Sequence, residues 1–171
     1  AEWEYEYRKT TREGESMKNT PITFANGSSL TMCDLEDFRD TLKPTHTVVT
    51  LCRFPPRFID SDKQERHHYY FRAHNNDPFI WQHASELVLD LLDKGKHVLL
   101  HCVHGRDRTG GVAFIVLSHL FTNNTDKQTL ELMGTVRPKI GVDTFTEKIY
   151  GKGSLYWKVI DELNKGRDDN E

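Results

Sequence analysis

His97-Val98-Leu99-Leu100 and the run from Gly111 to Leu117 are apolar at nearly every position, while residues 101–110 between them are mostly polar, charged or glycine. A short strand without polar alternation belongs inside a sheet covered on both faces. Thr109 to Phe121 reads as an apolar helix that starts directly after the glycine-containing loop. Buried strand, tight loop and buried helix, in that order, constrain the chain to a layered α/β fold.

The remaining segments supply the other layers. Thr23 to Leu30 places Asn26-Gly27 between short apolar stretches, a hairpin signal. Asp34 can cap a helix through Leu35, Phe38 and Leu42 that stops before Pro44. His46 to Leu51 is a strand rich in Thr and Val, Arg53 to Lys63 a loop with paired prolines, and His67 to Arg72 a second strand. After the turn Asn75-Asn76-Asp77-Pro78, an amphipathic helix uses Ile80, Ala84, Leu87, Val88, Leu91 and Leu92 and ends at Gly95. Thr125 caps a helix through Leu130 and Met133, and Asp143 to Tyr150 and Leu155 to Leu163 are the last helical pieces. The predicted fold is therefore α/β, a central twisted, mostly parallel sheet flanked by helices. With 171 residues the chain suits one domain, 1–171, in which residues 1–20 are an edge strand or a loosely ordered arm carrying Trp3, Tyr5 and Tyr7.

Apolar residues make up 36% and charged residues 29%, which fits a globular chain, and no apolar run approaches the length of a bilayer span. The first nine residues lack the layout of a secretory signal. A net charge of −3 excludes bulk electrostatic coating of nucleic acid, so anion binding has to come from a local arrangement of donors. Cys33, Cys52 and Cys102 are odd in number and irregular in spacing, which predicts reduced thiols and an intracellular, cytoplasmic or nuclear setting.

That local arrangement is His101-Cys102-Val103-His104-Gly105-Arg106-Asp107-Arg108-Thr109-Gly110. A strand entering a tight loop before a helix start turns consecutive N–H groups and a positive helix end into one concavity, an anion nest. Cys102 at its entrance has its thiolate stabilised by the same field. Arg108 offers a planar two-point fork to phosphate oxygens. Val103, His104, Gly105, Arg106 and Asp107 form the substrate-binding wall, and the Thr109 hydroxyl sits where it can donate to the sulfur. Phosphoryl transfer needs positioning and charge stabilisation, which the amides and Arg108 provide, while Cys102 splits the displacement into two steps.

HCVHGRDRTG resembles the HCxxGxxR[S/T]G signature of the protein tyrosine phosphatase superfamily, in its small dual-specificity branch. The likeness runs from about Val48 to Tyr150, with Val136-Arg137-Pro138 near its end, and is absent before Thr45. It implies a cysteine-dependent phosphatase acting on phosphorylated protein or another phosphate-bearing substrate, with no cofactor; His101 and His104 beside Cys102 and the adjacent His67-His68 lack the spacing of a closed zinc site, which predicts no metal. It also implies a general acid on an upstream loop, and Asp77 is the matching position; the plain alternative is an Asp that only caps the following helix. Asp60, Asp62 and Glu65 are nearby fallbacks. Asp107 is a departure, similar to phosphoinositide phosphatases of the myotubularin type, and either assists proton transfer or pairs with Arg106 or Arg108. His104 makes the loop similar to mRNA-capping triphosphatases, which act on RNA 5′ ends; a non-enzymatic phosphate-binding relative is the remaining alternative. His101 is implied to be structural at the loop base. Cys52 is either a core residue or a redox partner for Cys102, and Arg53 to Arg57 either line the pocket or form a solvated loop.

Overall fold

Val98, Leu99 and Leu100 are all fully buried, and their strand has a parallel neighbour on each side. The computed structural model describes residues 5–6, 19–57, 63–137 and 149–168. The elements are β1 (Tyr5–Glu6), β2 (Ile22–Phe24), β3 (Ser29–Cys33), α1 (Leu35–Thr41), β4 (His46–Thr50), β5 (Arg66–His68), α2 (Pro78–Asp93), β6 (His97–His101), α3 (Asp107–Leu120), α4 (Asp126–Val136) and α5 (Leu155–Asp168). Among them the sheet runs β1-β2-β3-β6-β4-β5, parallel from β3 to β5 and antiparallel at the β1 and β2 edge. The expected α/β fold with a mostly parallel sheet is what forms. Tyr5–Glu6 lies on the edge, whereas Trp3, Tyr7 and all but the end of the expected helix Asp143 to Tyr150 fall outside the described residues.

The two-residue period of the strands sorts their side chains between two cores. Leu30, Met32, Val49, Val98 and Leu100 join the larger one, with residues of α2, α3, α4 and α5. Cys33, Val48 and Leu99 face the other way, onto Phe38 and Leu42 in and beside α1. Burying each large aliphatic side chain contributes about 1.5–3 kcal/mol, which is why a strand apolar on both faces settles at the sheet's centre.

The caps fall where the side chains dictate. Asp34 accepts from Asp37 N at the start of α1, and Thr125 and Gln128 form a capping box on α4. The strand expected over His67 to Arg72 is shorter. Tyr69 N still donates to Thr50 O at 2.9 Å, but the chain then leaves the sheet and Phe71 buries its ring against Trp81, centroids 4.7 Å apart. Aromatic alternation there marks packing against α2, not a continued strand. Gly111 completes this layer, because a Cβ on it would stand 2.4 Å from the Trp81 ring and 2.7 Å from Tyr156. Only glycine lets α3 approach α2 and α5 so closely.

Two histidines are buried neutral in this framework. His46 accepts from Lys43 N at 2.9 Å, and His101 Nε2 meets Thr50 Oγ1 at 2.7 Å. Burial is the main cause that lowers both to about 4 from the ordinary 6.5, with Lys43 and His97 adding to the effect at His46. Between pH 6.5 and 4 the unfolded chain therefore binds more protons than the native one, so stability is full above 6.5 and declines as pH falls through that window. The loss should reach up to about 3 kcal/mol per histidine. Thermal unfolding followed from about pH 7 to about pH 4 should show the melting temperature falling, and His46→Gln should flatten that slope. An identical slope in the variant would refute the assignment for His46.

Candidate active site

β6 delivers Cys102, 2% exposed, to the carboxyl end of the sheet, and α3 begins five residues later at Asp107. The intervening loop turns at Gly105, whose φ of +61° lies in the left-handed region. That conformation and the space both require glycine, since a Cβ there would stand 2.5 Å from Cys33 O and 2.6 Å from Arg137 Nη2. Among the described residues, the N–H groups of Val103, His104, Gly105 and Arg106 donate to no protein acceptor, and no side chain caps α3. Unused amides at a helix start are the components of an anion site.

Thr109 Oγ1 donates to Cys102 Sγ at 3.0 Å within the core. Arg108 Nη1 donates to Phe71 O at 3.0 Å and, more weakly, to Leu51 O at 3.4 Å, while its buried Nε has no partner among the described residues. One end of the guanidinium is thus fixed to two loops, leaving the edge that carries Nε for another acceptor. His101 is held by Thr50 in the neighbouring strand and packs on Phe38, ring centroids 4.9 Å apart, so it braces the loop base.

Asp77 is exposed and caps α2, accepting from Phe79 N at 3.0 Å, while its own N–H donates to Asn75 Oδ1. Its loop is anchored to the centre by two bonds, Trp81 Nε1 to Asn75 O and Arg108 Nη1 to Phe71 O. Of the fallback carboxylates, Asp60 and Asp62 lie outside the described residues. Glu65 is at the wrong end of the sheet. It bonds Thr47 Oγ1 and Lys96 Nζ just before the amino ends of parallel strands, whereas Cys102 follows a carboxyl end.

Asp107 makes no ion pair with Arg106 or Arg108 among the described residues, contrary to the pairing considered from sequence. It is felt instead by two tyrosines that sequence did not single out. Burial, and after it the Asp107 carboxylate, pushes Tyr156 up to about 12; burial, Tyr156 and Asp107 raise Tyr150 as well. Asp34, Glu36, Val103, His104, Arg106 and Asp107 line a cavity of about 540 Å³ beside the loop. Cys52 is buried, and its S–H donates to Phe54 O at 3.4 Å. Burial raises its pKa, with Arg108 acting the other way. Phe54 is 72% exposed, and Arg53 lies 5.1 Å from its ring. His67 is engaged by Glu65 and His68 by Cys52 O, and the described residues contain no cluster of three or more His, Cys, Asp or Glu able to hold a metal.

Arg137, which the sequence offered within Val136-Arg137-Pro138 but without a role, is a structural centre of the site. Its side chain is 1% exposed, and it donates to Gly105 O at 2.8 Å, His104 O at 3.1 Å, Asp34 Oδ2 at 3.2 Å and Asn19 Oδ1. The signals were its place in Val136-Arg137-Pro138 and a charged side chain at the end of a helix otherwise closing on Met133 and Val136.

The model of the tyrosine phosphatase family matches residues 30–126, more than half of the chain. The chain belongs to that family. The match starts at β3, earlier than the Val48 read from the sequence, and so takes in the α1 layer. Membership makes the protein a phosphoric ester hydrolase of the tyrosine phosphatase type. Solved structures share its fold at low identity. DUSP15 is 15% identical with a TM-score of 0.59, over 86% of this chain and 96% of that one. Tk-PTP in a G95A mutant form is 14% identical with a TM-score of 0.57, over 85% and 97%. A mouse putative dual-specificity phosphatase complexed with zinc tungstate is 11% identical with a TM-score of 0.57, over 94% and 95%. No curated protein matches the sequence significantly. Among the described residues no helix is long and apolar enough to cross a membrane.

Proposed function

We propose that this phosphatase hydrolyses phosphate monoesters, those of phosphorylated proteins first, through a cysteinyl-phosphate intermediate. Cys102 Sγ attacks phosphorus while the phosphorus–oxygen bond to the leaving group breaks. Asp77, protonated, gives its proton to the departing oxygen; as a carboxylate it then takes one from the water that attacks phosphorus. The sulfur–phosphorus bond breaks, inorganic phosphate leaves, and Thr109 steadies the returning thiolate. The loop amides and Arg108 hold the equatorial oxygens throughout.

The observation that carries this reading is Arg108, tethered through Nη1 with its buried Nε unpartnered on the first turn after the Cys102 loop. A buried donor without an acceptor is costly, and a phosphate oxygen would satisfy it. The neighbouring cavity supports monoesters over polyphosphates such as an RNA 5′ triphosphate or an inositol polyphosphate. Among the described residues its lining sets Asp34, Glu36 and Asp107 against Arg106 and His104, a mixed rather than a basic surface.

Hydrolysis of aryl and alkyl phosphates by wild type, Asp77→Asn and Asp107→Asn tests the reading. Asp77→Asn should slow alkyl esters, whose leaving groups need the proton, by about 10²–10⁴-fold, and good aryl leaving groups much less. A flat response there, beside a steep one in Asp107→Asn, would move the acid to Asp107 and the chemistry towards the phosphoinositide type.

A further inference from the structure

Three consecutive carbonyls of the phosphate loop are held from behind. Val103 O accepts from Leu35 N at 3.1 Å, His104 O from Arg137 Nη2 at 3.1 Å, and Gly105 O from Arg137 Nε at 2.8 Å. A trans peptide is planar, with its N–H opposite its C=O. Fixing those three carbonyls therefore turns the next three amides, on His104, Gly105 and Arg106, to the other side of the loop. None of the three has a protein acceptor among the described residues. The side away from Arg137 is where they are free to meet a phosphate.

We infer that Arg137, braced by Asp34 and Asn19, is a positioning residue that sets the peptide planes of the phosphate nest without touching phosphate. The inference rests on the proposed phosphate site and adds what orients it. Asp34 Oδ2 accepts from Arg137 Nη2 and Oδ1 from Asp37 N, so the ion pair is locked to the start of α1. Because Asp34 offsets the charge of Arg137 inside the protein, the device acts through geometry more than through added positive potential. Asn19 is the outer anchor, half-buried and bound to Arg137 Nη1 and Thr41 Oγ1. Gly105, at positive φ, is the joint on which the loop turns, and peptides beside such a joint can flip unless something holds them.

The test is titration of tungstate, a tetrahedral oxyanion that is not turned over, by calorimetry below the melting temperature, with monoester kinetics alongside. Arg137→Met should keep native circular dichroism and bind tungstate at least about tenfold more weakly, with kcat falling as well as KM rising. Arg137→Lys, which keeps the charge but not the planar set of donors, should recover only part of that affinity. A merely structural role would lower the melting temperature and leave the affinity of the folded protein unchanged. That outcome overturns the inference. If Arg137→Met fails to fold once Asp34 loses Arg137, Asn19→Ala decides, since it removes only the outer anchor. It should weaken tungstate about two- to threefold, and unaltered binding rejects the proposal. Wild type that binds no tungstate would instead remove the phosphate site itself, and this inference with it.

Discussion

Serine in place of Cys102 should leave a folded protein that still holds phosphate, and should lower monoester hydrolysis by about 10⁴-fold or more. The change removes one polarizable atom at a position only 2% exposed and leaves every donor of the nest in place. Thr109 can still donate to the smaller oxygen, so packing around α3 loses little. The chemistry loses a great deal, because a hydroxyl oxygen needs a base to become a nucleophile, and its hydrogen-bond partner among the described residues is the Thr109 hydroxyl, which is no base. Two measurements separate the cases: initial rates with a chromogenic monoester, and tungstate titration of the same sample. Lost rate with retained binding supports the covalent route. Hydrolysis near the wild-type rate would mean that the displacement is made by water directly, and Cys102 would then be a structural thiol.

Local sequence carried the centre of this molecule and missed its supports. The strand, loop and start of α3 were legible because their determinants are neighbours: apolar β6, Gly105 at the joint, Thr109 seven residues from Cys102. The role of Arg137 was not legible because its partners lie 32 and 103 residues away, at Gly105 and Asp34, and no periodicity links those positions. Glu65 failed as an acid for a related reason. It was a fallback as a carboxylate near Asp77 in the chain, but parallel strands carry it to the end of the sheet opposite Cys102. β5 was overextended because alternating aromatic residues satisfy the strand pattern equally when they pack against a helix, as Phe71 does. Asp77 shows the converse, where one side chain answers two patterns at once. It caps α2 and also sits on the loop whose Phe71 carbonyl reaches Arg108, and only kinetics distinguishes the two uses.

Arg108→Lys should be the other large loss, about 10²–10³-fold in kcat/KM, although it keeps the charge. The guanidinium has two separate tasks at its two ends. Nη1 ties Phe71 O and Leu51 O, which positions the loop leading to Asp77, while the Nε edge is presented for two-point contact with phosphate. An ammonium group is a single point on a flexible stem, and it can serve the carbonyls or the phosphate, not both. If it stays on the carbonyls, tungstate affinity falls and the developing charge goes unmatched. If it turns to the phosphate, Phe71 O loses its donor, and the effect of Asp77→Asn should shrink in the Arg108→Lys background because the acid is no longer held in place. That double-mutant comparison identifies which task the lysine abandons. Activity within about threefold of wild type would mean that neither end of Arg108 acts as described, and that charge alone at this position supports the reaction.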